Sequence, residues 1–232
     1  METSLGVALG LGFLLGIRHA LDADHLAAVS ALVSQHRTLV RSCLLGAFWG
    51  AGHTVALLGA GTLVIVFKLS ISPLIETGLE MAVAVLLILL GGRVLLGSLN
   101  TFGLHRHRHS HAGEHHSHLH LHLRGDESHG HRHLVRLAGR PFLVGLLHGM
   151  VGSAALMLLV LTTIPSPVAG FLYILVFGVG STAGMFLLSG LIGIPVAMTA
   201  RRSRTAHAII QGLVGAASLI FGVALAWNLG SV

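Results

Sequence analysis

Arg18-His19-Ala20-Leu21-Asp22-Ala23-Asp24-His25 lies inside an apolar stretch that covers residues 4–33. Five of these eight residues are ionisable. An ionisable side chain at membrane depth costs at least about 2–3 kcal/mol, so it faces a cavity or a partner rather than lipid. Two imidazoles and two carboxylates this close together make a metal site by composition. Neutral imidazole suits Ni, Co, Cu and Zn, and carboxylate oxygen adds charge neutralisation. On a continuous helix His19, Asp22 and His25 share one face and Asp24 points away. Either Asp22 is the ligand and Asp24 an outer partner, or the helix unwinds and Asp24 turns inward. Asp24 also has two further roles open to it: holding a ligand His in its tautomer, or pairing with Arg18. An alternative places the whole segment in an extramembrane loop between two short helices. The stretch before it is then barely long enough to span.

The rest of the chain says that the surroundings are membrane. Of 232 residues, 53% are hydrophobic and 9% are charged, against about 25% charged in a soluble domain. So few charges cannot cover a soluble surface, and the long continuous apolar runs differ from the short alternating segments of a membrane β-barrel. Six stretches are predicted to span, over 4–33, 42–68, 75–99, 140–163, 168–199 and 206–229. The fold class is therefore an all-α membrane protein of six transmembrane helices. The first stretch, with no positive n-region or clear cleavage site, reads as a retained span. Cys43 is the single cysteine and says nothing about redox compartment.

The formal net charge of +6 does not indicate a nucleic-acid partner, because most of the basic residues fall between apolar runs. Arg37 and Arg41 follow span one; Arg93 ends span three and Arg106, Arg108, Arg124, Arg132, Arg136 and Arg140 follow it; Arg201, Arg202 and Arg204 follow span five. These loops share one side, and Lys68 stands alone on the other. The positive-inside bias puts them in the cytoplasm and both termini outside, in the plasma (inner) membrane.

The two halves align. Phe13-Leu-Leu-Gly-Ile-Arg-His19-Ala matches Phe142-Leu-Val-Gly-Leu-Leu-His148-Gly, and Trp49-Gly-Ala-Gly-His53-Thr54 matches Phe177-Gly-Val-Gly-Ser181-Thr182. Glu80 matches Gln211, and Gly91 matches Gly222. Three spans per half force opposite insertion, giving a 3+3 inverted repeat with its site near the midplane. Residues 1–100 form the first repeat with the metal motif, 101–139 a His-rich loop, and 140–232 the second repeat. Gly46 and Gly50, or Gly180 and Gly184, put small residues one turn apart for close helix packing. His53 and His148 join His19, Asp22, Asp24 and His25 as candidate ligands. The second half lacks the acidic run, since Val151-Gly-Ser153 stands in its place. Arg18, Thr54, Glu80, Ser181, Thr182 and Gln211 are candidates for lining the pathway.

The loop carries His105, His107, His109, His111, His115, His116, His118, His120, His122, His129, His131 and His133. Twelve His in 29 residues, among Arg, Ser and Gly, cannot bury a core, so the loop is read as mostly disordered. Its imidazoles offer many weak sites for Ni, Co, Zn or Cu, and suit a metal-collecting or sensing role. The bland alternative is a solubilising basic tether.

The stretch around His19-x4-Asp24-His25 resembles the hallmark motif of the nickel/cobalt transporter (NiCoT) family and its wider NicO relatives. Phe48-Trp-Gly-Ala-Gly-His53-Thr-Val is similar to that family's next motif, with Thr54 where Ser is usual. His148-Gly-Met-Val-Gly-Ser-Ala-Ala-Leu resembles the compact, six-span UreH-like branch. The resemblance implies transport of Ni2+ and/or Co2+ as substrate, with no cofactor, through His19, Asp24, His25 and His53. Uptake by a secondary mechanism is expected, as no Gly-x4-Gly-Lys-Ser/Thr motif is present. Its alternatives are nickel/cobalt efflux, or a membrane metal-storage or sensing protein that uses the His-rich loop. Expected partners are the divalent metal ion, the lipid bilayer and a cytoplasmic metallochaperone. An enzyme is not expected, since the His-Glu-x-x-His spacing of a zinc hydrolase is absent.

Overall fold

The computed structural model describes residues 2–68, 72–101, 105–111, 114–120, 134–151 and 166–231. Its helices are α1 (Glu2–His19), α2 (Ala23–Ser34), α3 (Leu39–Phe67), α4 (Pro73–Thr101), α5 (Leu134–His148), α6 (Pro167–Arg202) and α7 (Arg204–Gly230). Four of them, α3, α4, α6 and α7, are each long and apolar enough to cross a membrane. The bent pair of α1 and α2 makes a fifth candidate span. Within the expected fourth span, α5 accounts for the part up to His148, and 152–165 lie outside the described residues.

The outward faces suit lipid. Leu89, Leu191, Leu213, Ile220 and Trp227 are each at least 66% exposed, which a water-facing helix would avoid over so many large side chains. The interior is packed by Val29, Trp49, Val83, Leu87 and Met185. The protein is thus an all-α integral membrane protein.

The first apolar stretch, 4–33, is not one continuous helix but a bent pair. α1 and α2 meet at 57°. The Leu21 amide donates to the Arg18 carbonyl at 2.9 Å and the Asp22 amide to that of His19 at 3.0 Å. Such i→i+3 bonds tighten and close the last turn of a helix. Asp22 then takes extended backbone angles (φ −62°, ψ 148°) and caps α2. Aspartate favours that position over a helix interior, because its short carboxylate competes for local backbone groups. Here the carboxylate makes no cap bond; it turns to His19 instead.

α3 packs between α5 and α6, α1 lies on α6, α4 lies on α7, and α2 is wedged among α4, α6 and α7. Glycines set the closest approaches. A Cβ at Gly16 would strike the Phe177 carbonyl, and one at Gly145 the Trp49 carbonyl. A Cβ at Gly180 would strike the Phe13 carbonyl, and one at Gly52 that of Phe142. Gly46 and Gly50 sit against α6 as well, and Gly184 against α1. Backbone-to-backbone contact of this kind is how helices associate where lipid removes the hydrophobic drive. Between α3 and α6, Thr54 donates to the carbonyls of Gly50 and Gly178 in a shared bond, 2.9 Å each. Its hydroxyl lies 3.0 Å from that of Thr182.

Part of the loop expected to lack regular structure forms a ribbon. β1 (His105–His111) and β2 (Glu114–His120) pair antiparallel, from His105 opposite His120 to His111 opposite Glu114. Hairpin pairing needs no apolar core, only backbone donors and acceptors that satisfy each other. His122, His129, His131 and His133 lie outside the described residues.

Candidate metal centre

The α1–α2 break gathers the motif. His19 is the last residue of α1, and Asp24 and His25 open α2. His53 comes from the middle of α3, and His148 ends α5. His25, His53 and His148 are fully buried, while His19 is 8% exposed. His19 Nε2 and His53 Nε2 lie 3.1 Å apart. Nitrogen ligands about 2 Å from one shared ion have about this separation.

Two carboxylates hold the rings. Asp22 Oδ2 is 2.8 Å from His19 Nδ1. Asp24 Oδ1 is 3.1 Å from His25 Nδ1 and accepts from the His25 amide at 2.9 Å. Its other oxygen, Oδ2, is 2.8 Å from His148 Nε2. A carboxylate on one ring nitrogen fixes the tautomer and leaves the other nitrogen's lone pair free for a metal. His25 Nε2, His53 Nδ1 and His148 Nδ1 are buried and have no hydrogen-bond partner among the described residues. Leaving such atoms unpaired costs about 1–3 kcal/mol each, which a bound cation offsets where it takes the lone pair.

The donors fall into two groups whose ligand atoms lie within 4.8 Å of one another: His19, His25 and His53, and Asp24, His25 and His148. Four imidazoles and two carboxylates together suit a divalent transition metal: the nitrogens replace water, and the two negative charges balance a 2+ ion. Of the two geometries that the sequence left open, the broken helix is the one present. The break turns Asp24 toward His25 and His148 and leaves the Asp22 side chain 52% exposed on the flank of His19.

Other candidates are placed differently. Arg18 is exposed. Glu80 is half-buried on α4 and stands outside both donor groups. Gln211 donates to the Ser34 carbonyl at 2.8 Å and so ties α7 to the end of α2. Thr54 and Thr182 fasten α3 to α6. Ser181 is fully buried, with its hydroxyl unpartnered among the described residues.

Trp49 and Phe177 were not among the expected site residues. Trp49 stacks on His25 with ring centroids 5.4 Å apart and meets His148 edge-on at 5.6 Å. Phe177 lies 5.6 Å from His19. The signal was present: Trp49 lies four residues before His53, hence on the same helix face, and Phe177 is its match in the second half. These rings restrict the imidazoles and exclude water.

Asp22→Asn keeps an oxygen acceptor near His19 but removes the charge. Metal affinity, measured by calorimetric titration with nickel, should fall roughly 10–100-fold, the usual effect of losing an outer partner. Unchanged affinity would mean that Asp22 does not support His19.

The chain is 40% identical over 96% of its length to the urease accessory protein UreH of Bacillus sp. (strain TB-90), covering 91% of that protein. It is 26% identical over 80% of its length to the chloroplast protein FOR GROWTH AND FERTILITY 2 of Arabidopsis thaliana, covering 46% of that protein. No solved structure matches. Residues 5–226 match the NicO profile, described as a high-affinity nickel-transport protein, and the chain therefore belongs to the NicO family of nickel transporters.

Proposed function

We infer that this protein takes Ni2+ and/or Co2+ up across the plasma membrane by a secondary mechanism, through an intramembrane site built on His19, His25 and His53 with Asp22, Asp24 and His148. The observation that carries this reading is the convergence of four buried or nearly buried imidazoles and two carboxylates at one helix break. A hydrated divalent ion must shed water to cross, and these donors replace that water while offsetting the charge. The break itself favours the reading. The C-terminal end of α1 faces a cation with its negative dipole end, and the N-terminal end of α2 stabilises the carboxylates. Metal transport also fits the matching family, described as a high-affinity nickel-transport protein, and a relative named as a urease accessory protein.

Six spans in a 3+3 inverted repeat, with both termini outside and the His-rich loop cytoplasmic, complete the proposal. Matched positions make matched contacts: Gly16 on Phe177 pairs with Gly145 on Trp49, and Gly180 on Phe13 pairs with Gly52 on Phe142. On the α4–α7 crossing, Gly91 faces the Leu219 amide and Gly222 the Ile88 amide. Contacts related in this way support two trios inserted in opposite directions and exchanging their first helices. Movement of one trio against the other then exposes the site to each side in turn.

The test is nickel flux into proteoliposomes. His19→Ala and Asp24→Ala should each abolish it without preventing membrane insertion. Deletion of 105–133 should alter efficiency and leave transport in place. Wild-type flux in both point variants would contradict the site, and loss of all flux in the deletion would move metal handling to the loop. Nickel and cobalt accumulation in cells with and without the protein reports direction and metal together, and a lower content with the protein would overturn uptake.

A further inference from the structure

The two donor groups share a single residue, His25. Its Nδ1 lies 3.1 Å from Asp24 Oδ1, which leaves Nε2, buried without a partner among the described residues, as the lone pair a metal can take in either group. Its ring centroid is 4.4 Å from that of His19, 5.3 Å from His53 and 4.3 Å from His148. It is therefore central to the cluster, in contact with every other imidazole.

We propose that the site is two adjacent metal stations, His19/His25/His53 and Asp24/His25/His148, between which the ion is handed with His25 as the ligand common to both. This rests on the reading of the protein as a metal carrier. The stations differ in chemistry and access. The first is all imidazole, and its His19 leans on a half-exposed carboxylate, Asp22. The second contains a carboxylate oxygen and a fully buried His148. Passing from one to the other, the ion exchanges His19 and His53 for Asp24 and His148 and is never without a protein nitrogen. Two divalent ions at stations that share a ligand repel each other strongly, so one ion is held at a time.

The second station also depends on how the helices sit. His148 arrives on α5, whose Gly145 lies against the Trp49 carbonyl, and the other donors come from α1, α2 and α3. A shift of α5 along α3 breaks the second station and leaves the first intact. Occupancy of the stations is thereby tied to the arrangement of the two halves.

The competing account is that His148 only orients Asp24. Glutamine separates the two roles, because its side-chain amide still donates to a carboxylate but is a poor metal ligand. The full chain is purified as wild type, His53→Gln, His148→Gln and the double variant. Each is titrated with Co2+, whose visible absorption reports the ligand set, and reconstituted for nickel flux. Each single variant should still bind one Co2+ within about tenfold of wild-type affinity, with spectra that differ from each other, and the double variant should bind at least about 100-fold more weakly. Both single variants should lose at least about tenfold in flux, since each leaves one station and no transfer. The Asn variants at both positions serve as a second set where a Gln variant loses its monodisperse elution.

Wild-type flux in His148→Gln, or a double variant that binds no worse than His53→Gln alone, would overturn the second station. Loss of all Co2+ binding in His53→Gln alone would overturn it too, since the site would then be a single station. A wild-type protein that neither binds Co2+ nor moves nickel would instead remove the transport reading on which the stations rest.

Discussion

Replacing His25 by alanine should abolish nickel flux, with a fall of at least about 100-fold, beyond the roughly 10–100-fold that loss of an outer metal partner costs. His25 is 0% exposed and belongs to both donor groups, so among the described residues neither set of three ligands survives its loss. Truncation also takes from Asp24 Oδ1 its ring partner 3.1 Å away, leaving only the backbone amide, and removes the ring stacked on Trp49. His25→Gln fills most of the space and separates loss of packing from loss of the ligand. Flux into proteoliposomes, beside a thermal unfolding curve for each variant, is the measurement. Both variants should insert and remain folded, and neither should carry nickel. Wild-type flux in His25→Gln would show that the ion does not use this imidazole.

The second large effect is expected from a single methyl group. Gly52→Ala would place a Cβ against the Phe142 carbonyl, with the Phe142 carbonyl carbon 2.9 Å and the Leu146 amide nitrogen 3.0 Å away. These are backbone atoms, which have no rotamer to escape into, so α3 and α5 must separate. Overpacking of this sort costs about 1–3 kcal/mol or more. Gly52 is one residue from His53, and α5 carries His148, so the separation also pulls the donors apart. Thermal stability should fall clearly and flux with it. Gly59→Ala, on the same helix, meets nothing within 4 Å. It should be neutral or slightly stabilising, by up to about 1 kcal/mol, because alanine is the better helix former. Equal behaviour of the two variants in thermal unfolding would contradict the tight crossing of α3 and α5.

Much of this could be read along the chain. Few charges and long apolar runs require a helical membrane protein, because lipid leaves each backbone donor and acceptor to be satisfied within its own helix. Imidazoles and carboxylates at His19, Asp22, Asp24 and His25 point to a metal because such costly residues among apolar neighbours mark a function, and their nitrogen and oxygen donors suit a divalent transition ion. His53 was legible from its setting beside such a cluster, and His148 from its match to His19. What the sequence left open was whether the helix continues. Periodicity alone sends Asp24 away from His19 and His25, and it holds only while the helix continues.

Sequence thus determined the class of protein, the donor types and four imidazoles, since these depend on composition and local order. Tertiary structure decided what the donors do together. The break at Ala20–Asp22 swings Asp24 onto His148, a partner 124 positions away, and brings Trp49 and Phe177 against the rings. Contacts across so much chain come from glycine-backed crossings of whole helices. Each depends on the shapes of two surfaces at once, which no single stretch of residues contains.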